Sequence, residues 1–136
     1  MATLYQVLSS EEFRRRPAMY LGKMSIAKLD AYITGYRAAL IEYGIEEKDT
    51  IFDDIGFHDF VATYYNRPSA AGWANNIWAE NYGDQIQCFK SFFLLFDKFT
   101  YQERAVEYYN NLMLLYIGKL TQETTKLDYP IISSRK

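Results

Sequence analysis

Residues 16–44 read RPAMYLGKMSIAKLDAYITGYRAALIEYG and contain the longest helical pattern in the chain. Ser25 is a favourable N-cap, and Gly44 stands where a helix commonly ends in the left-handed conformation. Between them, apolar side chains recur at alternating spacings of three and four, which places them on one stripe of a helix. The members of this stripe are Ile26, Leu29, Ile33, Tyr36, Leu40 and Tyr43. The stretch therefore predicts a helix that is buried along this stripe.

The composition is that of one globular domain with a real core. The chain has 136 residues, of which 49% are hydrophobic and 24% charged, so we predict a single domain over residues 1–136. Aromatic residues are unusually frequent at 18%, and 13 of them are tyrosines. Tyrosine needs a hydrated or hydrogen-bonded hydroxyl. The rings therefore predict either a core rimmed by amphipathic side chains or a tyrosine-rich binding face.

Charge and cysteine content narrow the classes of partner and compartment. A net charge of −2 disfavours a nucleic-acid binder, which needs a basic surface. The single cysteine, Cys88, excludes an intramolecular disulfide framework and suits a reducing compartment. The N-terminal residues hold no uninterrupted apolar run typical of a signal peptide, and no apolar run is long enough to span a membrane. We expect a cytoplasmic protein that binds neither nucleic acid nor membrane.

The rest of the chain alternates caps with helical patterns. Residues 3–16 predict one helix or two short ones, with a capping box at Ser9 and Glu12 and a stop at Pro17. Further helix starts are predicted at Asp54, Ser69 and Asp84, and at a second capping box formed by Thr100 and Glu103. No stretch alternates apolar and polar residues long enough to predict a strand. The prediction is an all-α domain of five to six antiparallel helices, with a core of Ile33, Tyr36, Leu40, Phe60, Trp73, Ile77, Phe89, Phe93 and Phe96.

Residues that carry chemistry are few. One histidine, His58, and one cysteine, Cys88, cannot build a zinc site from these ligand types alone. The glycines do not cluster into a phosphate-binding loop. We therefore predict no metal, no cofactor and no catalytic residues. A small enzyme that assembles His58 and Cys88 in space is the alternative.

Four segments together resemble a known group of proteins. They are RRRPAMYLG, DIGFHDFVATYYN, GWANNIW and CFKSFFLLFDKF. The chain resembles a group of small all-helical bacterial proteins with an RPxMYLG turn, and the resemblance covers residues 10–99. Residues 100–136 look like an added C-terminal helix and tail. Some of these relatives occur beside polymorphic or contact-dependent toxins, so the resemblance implies an immunity protein.

This resemblance leads to an expected function: a non-catalytic cytosolic protein that binds and neutralises a toxin, whose partner we take to be a nuclease domain. A nuclease presents a basic face to its substrate, and an acidic loop can cover such a face. The acidic residues between positions 46 and 54 are Glu46, Glu47, Asp49, Asp53 and Asp54. A loop that is merely solvated explains these charges equally well.

Aromatic anchors would supply the binding energy that charge does not. Trp78 and Tyr82 are the candidates, because Trp73 and Ile77 already occupy the core stripe of their helix.

A third reading is a helical adaptor that associates with itself. The last predicted helix carries Tyr108, Tyr109, Leu112 and Tyr116, which could be buried in a two-fold homodimer. The same rings could equally close the core of a monomer.

Overall fold

A computed structural model of the chain describes residues 2–46, 52 and 54–127, with the side chains of residues 54 and 119–127 left out. These residues form seven α-helices, one short 3-10 turn and no strand, which confirms the all-α prediction with one helix more than the upper number expected. Residues Met1–Thr100 form one compact unit and Tyr101–Lys136 form another.

Three short helices open the chain: α1 (Leu4–Ser9), α2 (Glu11–Arg15) and α3 (Pro17–Leu21). The predicted capping box at Ser9 and Glu12 is wrong by one residue. Ser10 Oγ accepts a hydrogen bond from the Phe13 backbone N–H at 3.2 Å and donates one to Val7 O at 2.8 Å, so this residue ends α1 and begins α2. Pro17 does not only stop a helix, since it is the first residue of α3, where its missing N–H costs nothing.

Helix α4 (Ile26–Glu42) begins as the sequence predicts, because Ser25 Oγ accepts from the Lys28 N–H at 3.2 Å. Its stripe is buried only in its first half, at Ile26, Leu29 and Ile33. Tyr36 and Leu40 are half-buried, and Tyr43 is 77% exposed, so its predicted burial is wrong. Helices α3 and α6 both pack on α4.

The middle of unit Met1–Thr100 holds α5 (Asp54–Tyr65), a 3-10 turn (Ser69–Ala71) and α6 (Trp73–Glu80). Asp54 is the first residue of α5, while its predicted capping side chain lies outside the described residues. Ser69 does not cap α6 as predicted. It opens the 3-10 turn instead, and Gly72, with φ +88°, separates this turn from α6.

The last helix, α7, runs without interruption from Gln85 to Leu127. Asp84 caps it as predicted, since its Oδ1 accepts from the Gln87 N–H at 3.2 Å. The predicted break at Thr100 and Glu103 is wrong. Thr100 Oγ1 donates to Phe96 O at 2.8 Å, so the hydroxyl bonds back to the preceding turn of the same helix and starts no new one.

The core of unit Met1–Thr100 is aromatic. Five of its predicted members are buried, namely Ile33, Trp73, Ile77, Phe89 and Phe96, while Tyr36, Phe60 and Phe93 are half-buried against them. The prediction missed several fully buried residues, including Leu8, Phe13 and Leu95. Tyr64 lies at helical spacing from Phe57 and Phe60, and Ile86 lies at helical spacing from Phe89 and Phe93, yet both Tyr64 and Ile86 are exposed. A period of 3.6 locates a face of a helix, but the neighbouring elements decide how far along the helix that face is covered.

A substitution at Phe92 tests this description of the core. Its ring centroid lies 5.1 Å from that of Trp73 and 5.7 Å from those of Phe57 and Phe96, and its side chain is fully buried. We expect Phe92→Ala to lower the free energy of unfolding by about 3–5 kcal/mol, because it leaves a cavity among these three rings. Leu94→Ala, at a half-exposed position of the same helix, should cost less than about 1 kcal/mol. Urea denaturation measures both, and equal losses would contradict this placement of the core.

Candidate functional site

The C-terminal end of α6 presents two aromatic side chains on a tightly hydrogen-bonded turn. The Gly83 N–H donates to Trp78 O at 2.9 Å, and the Tyr82 N–H donates to Ala79 O at 3.3 Å. This pair of bonds is the Schellman arrangement, in which one residue adopts the left-handed conformation. Here that residue is Tyr82, with φ +54°.

The other helices of this unit show that Tyr82 is the unusual choice. Helix α4 ends with the same bond pair at Gly44 (φ +64°), and α5 ends with it at Asn66 (φ +56°). Glycine and asparagine are the residues that adopt this conformation most readily, whereas another L-residue pays roughly 1–2 kcal/mol. The third helix end thus carries a local strain that a glycine would remove.

The strained residue receives no compensating burial. Tyr82 is 94% exposed, so its ring lies almost entirely in solvent. Trp78, one turn earlier, is 51% exposed, and its indole lies against Gly83: a Cβ added there would come within 3.1 Å of the ring. We call Trp78, Tyr82 and Gly83 the aromatic turn. Gly83 both permits φ +77° and leaves room for the indole.

Hydrogen bonds behind the aromatic turn hold it to the domain. Asn81 Nδ2 donates to Ile77 O at 2.9 Å, and Ser91 Oγ on α7 donates to Asn81 Oδ1 at 3.3 Å. Gln85 Oε1 accepts from the Ile26 N–H at 2.7 Å, while its Nε2 donates to Gly83 O at 3.1 Å. These bonds tie the turn to the start of α4 as well as to α7. The two aromatic side chains therefore stand on a rigid base.

Two acidic residues flank the aromatic turn. Glu80 pairs with Arg67 at 2.7 Å, and both side chains are partly exposed. Asp84 is exposed and caps α7. Ile86, two residues further, is 59% exposed and adds apolar surface. The sequence prediction included Trp78 and Tyr82 but missed Glu80, Asp84 and Ile86. The segment WAENYGD, which mixes rings with carboxylates over seven residues, was the signal that could have identified them.

The predicted acidic run is described only at its edges. Glu46 is exposed after the end of α4, and Asp54 is the first residue of α5. Glu47, Asp49 and Asp53 lie outside the described residues, and so does the side chain of Asp54. Of the predicted site residues, the structure therefore brings together Trp78 and Tyr82.

His58 has a structural partner. Its Nδ1 accepts a hydrogen bond from the Trp73 backbone N–H at 2.8 Å, so the imidazole caps the start of α6. A Cβ added at Gly72 would lie 3.6 Å from the ring. The first N–H groups of a helix have no partner inside the helix. His58 on α5 supplies one for α6.

Cys88 is buried, and its environment is unlike that of a nucleophilic cysteine. Burial first, and the nearby charge of Asp84 second, raise the pKa of its thiol. Its Sγ lies 3.9 Å from Ile77 O, at the outer limit of a weak hydrogen bond. Reactive cysteines need a lowered pKa and access to solvent. The surroundings of His58 and Cys88 thus favour structural roles over the Cys–His alternative.

The arginines at the end of α2 divide between two roles. Arg14 binds Asp97 on α7 through both guanidinium Nη atoms, at 2.8 and 2.6 Å. The next two arginines line an open cleft of about 450 Å³, whose walls are Glu11, Glu12, Arg15, Arg16 and Met19. The cleft holds carboxylates and guanidinium groups in equal number, so it offers no strong field of one sign.

Comparisons with known proteins return no relative: no family model, curated protein or solved structure matches the chain. The resemblance to small helical bacterial proteins therefore stays a prediction. In the part of the chain that the structure describes, no helix has both the length and the apolar character to cross a membrane. Among the same residues, no three His, Cys, Asp or Glu side chains are grouped to hold a metal ion.

The strain at the aromatic turn predicts an unusual stabilising substitution. Tyr82→Gly should raise the free energy of unfolding by about 0.5–1 kcal/mol, because the relief of the left-handed strain exceeds the added entropy of the unfolded chain. Asn66→Gly is the matched control at the end of α5 and should change stability by less than about 0.5 kcal/mol. Urea denaturation of both variants measures the difference. A loss of stability in Tyr82→Gly would show that the ring supports the fold.

Removal of the His58 side chain should have the opposite effect on the free energy of unfolding. His58→Ala should lower the free energy of unfolding by about 1–2 kcal/mol, because it leaves the N–H of the buried Trp73 without its acceptor. Asp59→Ala, at the exposed neighbouring position, is the control and should lie within about 0.5 kcal/mol of the parent. Thermal and urea unfolding report the loss. Equal stabilities of the two variants would show that the cap formed by His58 does not stabilise α6.

Proposed function

We propose that this chain is a non-catalytic binding protein that neutralises a bacterial toxin in the cytosol, as an immunity protein does. The observation that carries the proposal is the exposed Tyr82 ring on a strained backbone, beside the half-exposed Trp78. Strained positions persist where function requires them, and a residue with no burial of its own gives the isolated fold no reason to keep the strain.

Aromatic side chains suit this role energetically. Tryptophan and tyrosine are enriched among the few residues that dominate binding energy at protein interfaces. Each offers a large apolar surface and loses few rotatable bonds on binding. The hydrogen bonds of Asn81 and Gln85 hold the backbone of the turn before a partner arrives. Preorganisation of this kind lowers the entropic cost of association.

The charges near the aromatic turn suit a basic partner. Asp84 is an exposed carboxylate directly after the aromatic turn, Glu80 before it is held in the ion pair with Arg67, and Glu46 is an exposed acidic residue of the predicted acidic run. A nuclease must expose a basic face to bind phosphates, and carboxylates opposite such a face speed encounter. The toxin that we propose is therefore a nuclease domain. The rings would supply affinity, and the carboxylates would supply the rate of association and its dependence on salt.

The test is rescue from the toxin. The candidate toxin is the toxic C-terminal domain of a large secreted protein encoded beside the gene for this chain, and cells that produce this domain should grow when they also produce the chain. The double variant Trp78→Ala/Tyr82→Ala should raise the dissociation constant for the purified toxin at least about 100-fold and abolish rescue, since each ring is worth about 2 kcal/mol or more in such interfaces.

Two further variants separate binding from stability. Tyr43→Ala removes another exposed tyrosine, at the end of α4, and should leave rescue intact. Tyr82→Gly should bind the toxin more weakly although it is the more stable protein. Failure of the parent chain to rescue growth would overturn the proposed function. Full rescue by the double variant would instead show that the partner binds elsewhere on the chain.

A further inference from the structure

The second compact unit carries an apolar helix surface that is open to solvent. In α7, every described side chain of residues 101–118 is exposed. Within this range Leu112–Tyr116 is an unbroken run of large apolar residues, and their exposed fractions lie between 43% and 73%. Soluble chains rarely leave contiguous apolar patches of more than a few hundred square ångströms in water. We therefore expect another molecule to cover this surface.

The large apolar side chains are concentrated on one side of the helix, with Val106, Leu115 and Ile117 just beyond its edges. At about 100° per residue, six of the others fall within an arc of about 140°. They are Tyr101, Tyr108, Tyr109, Leu112, Met113 and Tyr116, and we call them the tyrosine arc. The opposite side carries Glu103, Glu107, Asn110 and Asn111, with Leu114 among them. The arc is wider than the seam of a two-stranded coiled coil, so it needs a broad apolar surface opposite.

The area of the tyrosine arc is that of a dimer interface. Its four tyrosines are 57–77% exposed. With about 150–250 Å² for each ring residue, they alone expose on the order of 500 Å². Leu112 and Met113 add further apolar area. A stable interface takes about 800 Å² from each partner, so an arc of this size can supply most of one side of a two-fold contact.

We propose that the tyrosine arc binds the same arc of a second copy of this chain. A two-fold contact places one patch against itself, and apolar rings are complementary to their own kind because they carry no net charge. The net charge of the chain is only −2, so repulsion between copies is weak. Other copies of the chain are present wherever it is produced, whether or not a toxin is present. The proposed dimer therefore does not depend on the proposed toxin.

Light scattering on the full chain tests the pair. At about 100 μM the parent should show twice the 16.0 kDa mass of one chain, and Leu112→Glu should raise the dissociation constant of the dimer at least about 100-fold, because it buries two unpaired carboxylates. Leu114→Glu makes the same change on the polar side of the helix and should leave the dimer intact. A parent that stays at 16.0 kDa, or a Leu114→Glu chain that dissociates as readily as Leu112→Glu, overturns the proposal.

Discussion

The rings on the first half of α7 form the surface on which unit Met1–Thr100 depends. Phe92, Phe93, Phe96 and Phe99 occupy two adjacent turns, and each contacts rings from other elements at centroid distances of 5.1–6.2 Å. Their partners are Tyr5 on α1, Phe13 on α2, Phe52 before α5, Phe57 and Phe60 on α5, and Trp73 on α6. Each ring pair adds about 0.5–1.5 kcal/mol to the stabilisation that burial of its area supplies. Elements remote in the chain are thus joined by one helix, which is why the long α4 is less central than its sequence pattern indicates.

The N-terminal helices illustrate this dependence. Helices α1, α2 and α3 have six, five and five residues, and isolated helices shorter than about 12–15 residues are marginal in water. They persist because Phe13 is fully buried against Phe93, and because Arg14 binds Asp97 while its guanidinium lies 5.0 Å from the Phe93 ring centroid. The ion pair is partly exposed, so it contributes less than about 1 kcal/mol and mainly fixes orientation. Burial of Phe13 supplies the larger part of the stabilisation.

The sequence correctly predicted the helix caps that depend only on neighbouring residues. Ser25 and Asp84 cap their helices because one side-chain oxygen can reach one N–H two or three residues on, whatever the rest of the fold does. The predicted helix start at Thr100 was wrong because a threonine hydroxyl can either cap a new helix or bond back within an existing one. The same sequence is compatible with both arrangements. At the candidate site, the exposure of Trp78 followed from the helical period, but the left-handed backbone of Tyr82 did not. Gly83 beside it is the residue that a sequence pattern assigns to that conformation.

Tyr82 and the tyrosine arc have one physical property in common, although they belong to different units. Each raises the free energy of the isolated chain: Tyr82 through a backbone that a glycine would relax, and the arc through apolar area left in water. Among the described residues, no contact buries the Tyr82 ring or the tyrosine arc. The folded chain therefore recovers neither cost by itself. A bound state can recover both, since an interface would bury the Tyr82 ring and a second copy of the helix would cover the arc.

The two proposed sites differ in the kind of partner that would recover these costs. A single strained side chain on a rigid turn suits a partner that comes and goes, because the free protein tolerates about 1–2 kcal/mol of local strain. A broad apolar arc suits a partner that stays, because the free surface would otherwise associate without selectivity.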